Sequence, residues 1–193
     1  MELIARRYDT GQVVTLAIQD GKILSVTDTE HPDPAKLPWV SPGFVDLQIN
    51  GYGGQEFNDL ELDVERVAQV SLAMDADGVT SYLPTLTTQS FEMFAHGMRV
   101  IAEACQQDER VRQRVPGIHL EGPNLSPEDG PRGAHPVEHC RPPDWDEFQR
   151  LQEAAQGMIR IFTISPEYEN SAAVIAQVVN SGVIVAIGHT SAN

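Results

Sequence analysis

The chain has 193 residues, 41% of them hydrophobic, and its 13 basic against 28 acidic side chains leave a formal charge of −15. That length supports one ordinary domain but falls short of the roughly 250 residues of a complete α/β barrel. The acidity excludes a broad nucleic-acid surface, and no apolar run approaches membrane-spanning length.

The N-terminal Met1-Glu2-Leu3-Ile4-Ala5-Arg6-Arg7 carries no secretory pattern. Cys105 and Cys140 form neither a CxxC pair nor a disulfide framework. The expectation is a cytoplasmic protein without nucleic-acid or membrane partners.

Residues 1–40 read as a small β element. Residues 13–18 are apolar-rich, Asp20-Gly21 is a hairpin signal, and residues 23–26 continue the pattern. Three prolines between Glu30 and Pro38 then mark a loop. From Pro42 the pattern changes to strands and helices in alternation, so residues 41–193 form a second region. Strands are expected over 44–49, 79–83, 117–120, 158–164 and 183–187. The helices between them are expected over 62–74, 91–105, 145–155 and 172–179; in the first, Val64, Val67, Ala68 and Val70 recur at helical spacing. Such alternation implies an α/β fold with a parallel sheet and right-handed crossovers.

Between residues 124 and 143 lies a proline-rich stretch with no periodicity that carries Arg132, His135 and His139. A loop this long inside a compact domain is usually functional. In an acidic protein, Arg132 and His135 form a local basic patch suited to the anionic end of a substrate.

The strand ends carry the chemistry. Gly117-Ile118-His119-Leu120-Glu121-Gly122-Pro123 and Gly188-His189-Thr190 each put a metal-capable side chain where a buried strand hands over to a loop, and in α/β barrels that rim holds the active site. Singly, a strand-end glutamate that caps amides and a histidine bonded to a carbonyl are the commoner cases. Together, on strands that run parallel, Glu121 and His189 are expected to hold one divalent metal, zinc or iron. Candidates for a third ligand are Gln48, Asn50, His119 or residues outside this chain. Gln48 and Asn50 sit two apart and so share one face of a strand, but neutral amides are poor zinc ligands. His119 reads as a packed interior histidine and His96 as a surface one. Gly51, Gly53 and Gly54 fit no phosphate-binding fingerprint and read as a tight turn near substrate.

At these residues the chain resembles the N-acetylglucosamine-6-phosphate deacetylases of the amidohydrolase superfamily. The resemblance rests on Asp20-Gly21-Lys22-Ile23, Pro42-Gly43-Phe44-Val45-Asp46, Gln48-Ile49-Asn50-Gly51, Gly78-Val79-Thr80-Ser81, His119-Leu120-Glu121-Gly122-Pro123, Gly133-Ala134-His135-Pro136 and Gly188-His189-Thr190. It implies a partial (β/α)8 TIM-type barrel, about five of eight β/α units, preceded by part of a small β-sandwich. It also implies metal-assisted hydrolysis of an acetamide, giving glucosamine 6-phosphate and acetate.

Glu121 and His189 match two metal ligands of the family, and His135 matches a histidine that contacts the sugar phosphate. Gln48 and Asn50 replace a His-x-His found in other amidohydrolases, which implies a mononuclear site, and both are expected to bind substrate. The family's third ligand, on strand six, and its general-base aspartate, on strand eight, have no counterpart in this sequence. The expectation is therefore the first part of a longer, homodimeric enzyme, with no catalytic residue of its own and no activity alone. Two other readings compete: a non-catalytic α/β module that binds a small anion at its strand ends, and another amidohydrolase. The leading β element has no place in the first, and the missing His-x-His weakens the second.

Overall fold

The structure is a computed structural model that describes residues 1–192. It divides into two compact units, Met1–Gly43 and a second that begins at Phe44.

The first unit is a sheet of β1 (Glu2–Arg7), β2 (Val13–Gln19), β3 (Lys22–Asp28) and β4 (Trp39–Val40), in the order β3-β2-β1-β4. β1, β2 and β3 pair antiparallel and β4 lies parallel to β1. The turn between β2 and β3 has Asp20 at φ 51° and Gly21 at φ 73°, the two left-handed positions that suit the twist of a tight hairpin. Ala5, Val14 and Leu16 form the buried core of this unit. β1 leaves no clear signal in the sequence because its apolar residues do not alternate cleanly; its pairing with β2 and β4 supplies the strand.

In the second unit, β5 (Phe44–Ile49), β8 (Val79–Thr87), β9 (Ile118–Glu121), β10 (Ile159–Ile164) and β11 (Ile184–Ile187) form a parallel sheet in the order β5-β8-β9-β10-β11. A two-stranded hairpin, β6 (Gly51–Tyr52) and β7 (Gln55–Glu56), follows β5. The connecting helices are α1 (Val64–Ala73), α2 (Phe91–Gln107), α3 (Glu109–Arg114), α4 (Trp145–Ala154) and α5 (Ser171–Asn180). The expected mixed α/β architecture with a parallel sheet is thus present.

Capping fixes the helix starts. Asp63, Ser90 and Asp144 accept from the backbone N–H groups of Arg66, Met93 and Glu147, each such cap contributing about 1 kcal/mol. α3 is an addition to the expected helices: it has six residues and buries only Val111, too little for a periodic signal. β8 runs on through Pro84, where the sequence suggests a stop. The β5–β8 register skips from Asp46↔Tyr82 to Ile49↔Pro84, and the Ile49 N–H turns to the Thr85 hydroxyl at 3.0 Å. A side chain there satisfies a donor that a regular ladder would pair.

The helices bury Phe94, Met98 and Ile101 of α2 and Phe148 and Leu151 of α4 against Leu86, Ile118, Leu120 and Phe162 of the sheet. Ser71 and Tyr82 share a buried hydroxyl pair at 2.8 Å, and burial pushes the Tyr82 phenol up to about 12. Because the Ser71 hydroxyl also bonds the Val67 carbonyl, Tyr82→Phe strands no polar atom there. It is expected to cost only about 1 kcal/mol in urea unfolding, the net value of one hydrogen bond; a loss above roughly 3 kcal/mol would contradict that assignment.

Candidate metal centre

Glu121 is the last residue of β9, in register with Thr87 of β8 and Thr163 of β10. His189 follows β11 by two residues, in the left-handed region at φ 50°. His135 enters from the long loop after β9, and Gln48 comes from β5. Parallel strands deliver all of these to one end of the sheet.

Glu121 is only 5% exposed, and a buried carboxylate is tolerable only with close partners. The Gln48 amide donates from Nε2 to Glu121 Oε2 at 2.9 Å. His189 Nε2 lies 3.0 Å from the other oxygen, Oε1, and His135 Nε2 lies 3.8 Å from that same atom.

The outer nitrogens decide what these rings present. His189 Nδ1 is 3.2 Å from the Pro131 carbonyl, which only accepts, so Nδ1 carries the hydrogen. In the neutral ring Nε2 is then a lone pair facing a carboxylate oxygen, an arrangement that calls for a proton or a cation between them. His135 behaves alike. The Thr88 hydroxyl donates to the Glu121 carbonyl at 3.4 Å and so can accept from His135 Nδ1 at 2.9 Å. Burial, with His189 nearby, holds the His135 pKa below the ordinary histidine value, which favours the neutral donor ring.

The ligand atoms of Glu121, His135 and His189 all lie within 4.8 Å of one another. Ligands at about 2.0–2.1 Å from one tetrahedral ion stand about 3.3 Å apart. A carboxylate and two imidazoles at this spacing, each supported from behind, fit a divalent metal such as zinc.

Asn50 joins Gln48, Thr87, Glu121, His135 and His189 around a cavity of about 410 Å³. A second cavity of about 650 Å³ shares Asn50 and Thr87 and runs along the β6–β7 hairpin, where Gly53 and Gly54 lie. Two sequence expectations change, those for Arg132 and His96, while His119 stands where its packed-interior reading put it. His119 offers no free nitrogen, because Nδ1 meets the Leu47 carbonyl at 3.1 Å and Nε2 the Thr163 hydroxyl at 2.7 Å; its place is structural. Arg132 does not join His135 at the cavity but donates to the His135 carbonyl at 2.7 Å and to Asp129 at 3.2 Å. His96 is half-buried against the Leu62 carbonyl at 3.2 Å, not a free surface group.

The long loop also builds the centre, which the sequence did not show. Pro131 fixes the His189 tautomer, and the Gly133 backbone at φ 61° leaves a Cβ position only 3.5 Å from the His189 ring. The His135 ring meets His189 edge-on at 4.3 Å between centroids. Thr88 and Ser126, whose N–H donates to the His189 carbonyl at 3.0 Å, gave no signal because hydroxyl residues in loops are common.

A parallel α/β sheet with a carboxylate and imidazoles converging at its carboxyl ends defines the class: an α/β protein with a metal-capable centre of the kind hydrolases use. No family model matches the chain. It is 37% identical to the N-acetylglucosamine-6-phosphate deacetylase of Bos taurus over 157 residues, 80% of this chain and 37% of that protein. The corresponding protein of Bacillus subtilis is 30% identical over 187 residues, 92% of this chain and 46% of that one. A solved structure of a mutant N-acetyl-D-glucosamine-6-phosphate deacetylase from Mycobacterium smegmatis, in complex with N-acetyl-D-glucosamine-6-phosphate, superposes with a TM-score of 0.83 at 31% identity. It matches 100% of this chain and 50% of that one. The chain is thus similar to N-acetylglucosamine-6-phosphate deacetylases over most of its own length, and spans about half the length of these relatives or less.

Proposed function

We propose that this chain contributes the metal-holding and part of the substrate-holding residues for hydrolysis of the acetamide of N-acetylglucosamine 6-phosphate, giving glucosamine 6-phosphate and acetate. One observation carries the reading: Glu121 Oε1 and His189 Nε2 meet at 3.0 Å, with His135 Nε2 3.8 Å from the same oxygen, at the carboxyl ends of parallel strands. Zinc or iron bound there supplies Lewis-acid polarisation of an amide carbonyl and of water.

Glu121 and His189 are the ligands. Gln48 holds the free oxygen of Glu121 and leaves Oε1 for the cation. Asn50 faces the same cavity and offers an amide to a sugar hydroxyl. His135 presents Nε2 to the cavity and accepts a hydrogen bond from substrate there. Cys105 and Cys140 are both free thiols, which supports a reducing, cytoplasmic setting.

Among the described residues, Glu121 is the only carboxylate lining the 410 Å³ cavity, and it is committed to the metal. No second carboxylate is therefore at hand there as general base for the attacking water, and with His135 given to the substrate this chain alone is expected to bind without turnover. The anion-binding module is disfavoured: the cavity floor is a carboxylate and Arg132 faces away from it.

A second reading has His135 as a third ligand, favoured by its presence within the 4.8 Å cluster. The test measures zinc content and binding of N-acetyl-D-glucosamine-6-phosphate by calorimetry, with acetate release followed in parallel. Zinc-dependent binding of the sugar phosphate without acetate release is the expected result. His135→Ala should weaken sugar-phosphate binding roughly tenfold, the value of one good hydrogen bond, with zinc content unchanged. Loss of zinc in that variant assigns His135 to the metal instead. Sugar-phosphate binding that ignores zinc would overturn the proposal.

A further inference from the structure

We infer that Glu167 is a positioning residue for His189, acting through the turn that follows β11. This rests on the metal reading of Glu121 and His189 given above.

The reason lies in the backbone. His189 sits at φ 50°, a left-handed conformation that is unfavourable for a non-glycine residue and persists only where its surroundings over-determine it. The ring must nevertheless be placed to a fraction of an ångström for Nε2 to share a cation with Glu121. Something has to hold the turn.

Three contacts do so. The Gly188 N–H donates to the Ile164 carbonyl at 3.3 Å, and the His189 carbonyl accepts from the Ser126 N–H at 3.0 Å. The third comes from Glu167, in the loop after β10. Its Oε1 accepts the Ser191 N–H at 2.7 Å and also the Ser191 hydroxyl, while Oε2 accepts the Ser165 hydroxyl at 2.8 Å. Ser165 in turn donates its N–H to the Asn124 carbonyl at 2.8 Å. One carboxylate therefore ties the segment after β10 to the segment after β11, and through Ser165 to the start of the loop after β9. The connection after β9 carries His135 and follows directly on Glu121, and the one after β11 carries His189.

Glu167 is exposed, yet the Ser191 hydroxyl first among its donors holds the carboxyl down at about 2, so it stays ionised over the working pH range. It touches neither Glu121 nor His189 side chains, and it lines neither of the two cavities at the site. Its effect on the centre is therefore one of placement.

The experiment compares the wild-type chain with Glu167→Ala and Glu167→Gln. The readouts are zinc affinity from competition with a chromophoric chelator, the visible spectrum of the cobalt(II) form, and thermal unfolding of the metal-free chain. Glu167→Ala should lower zinc affinity roughly tenfold, the lower end of what outer partners of metal ligands cost, and should alter the cobalt ligand-field bands. Glu167→Gln keeps an acceptor for Ser191 and should recover most of both. If Glu167→Ala does not fold, Glu167→Asp, which keeps the charge but falls short by one methylene, carries the same expectation.

Wild-type zinc affinity and cobalt spectrum in the Ala or Asp variant would overturn the inference and leave the metal centre standing. A loss of affinity with an unchanged cobalt spectrum and a matching loss of metal-free stability would also overturn it, as a purely structural effect. A wild-type chain that binds neither ion would overturn the metal reading, and this inference with it.

Discussion

Replacing Glu121 with glutamine should abolish stoichiometric zinc binding by this chain. Glu121 supplies the only charged donor of the cluster, and its Oε1 is the atom that both imidazoles face at 3.0 and 3.8 Å. Outer partners of metal ligands already cost up to roughly 100-fold in affinity, and loss of the charged ligand itself should exceed that. The fold should survive, because the carboxamide oxygen of the substituted side chain can still accept from Gln48 and the shape is unchanged. Elemental analysis after dialysis against a weak chelator checks this: about one zinc per wild-type chain and a trace in the variant. Full occupancy in a Glu121→Gln, His189→Ala double variant would sink the assignment outright.

Phe162→Ala should have the largest effect on stability. Phe162 is 1% exposed on β10 and stacks at 5.5 Å on Phe148, which stacks at 5.4 Å on Trp145. Truncation there removes apolar contact and leaves a cavity between sheet and helix, a change that costs about 3–5 kcal/mol. For a protein of this size the melting temperature should fall by roughly 6–20 °C. β10 also sets the spacing between β9 and β11, and hence between Glu121 and His189, so zinc affinity should fall alongside. A loss under about 1 kcal/mol in urea unfolding would show that α4 does not pack on the sheet as described.

The alternation of strands and helices was legible because the five strands of the parallel sheet and every helix of the second unit but α3 are each either a short apolar run or an amphipathic repeat. The strand ends were legible for the same reason: a short apolar run that stops at Glu121 or just before His189 hands the next side chain to a loop. What the sequence could not show were pairings between distant segments. β1 exists by virtue of β2 and β4. The tautomer of His189 is set by the Pro131 carbonyl 58 residues away, and the free oxygen of Glu121 by Gln48 across 73 residues. Arg132 and His135 looked like one basic patch because they are close in sequence, yet a turn sends the guanidinium to the loop's own carbonyl and the imidazole to the cavity. Backbone acceptors and loop hydroxyls such as Thr88 leave no compositional trace, so the supports of the centre had to come from the structure.

The measurement that bears most directly on the central claim is an anomalous difference map at the zinc edge from crystals of the zinc-loaded chain. The account predicts a single strong peak within bonding distance, about 2.0–2.2 Å, of both Glu121 Oε1 and His189 Nε2, with Gln48 still hydrogen-bonded to Glu121 Oε2. A peak elsewhere on the chain, or Glu121 and His189 joined directly with no ion between them at saturating zinc, would contradict it.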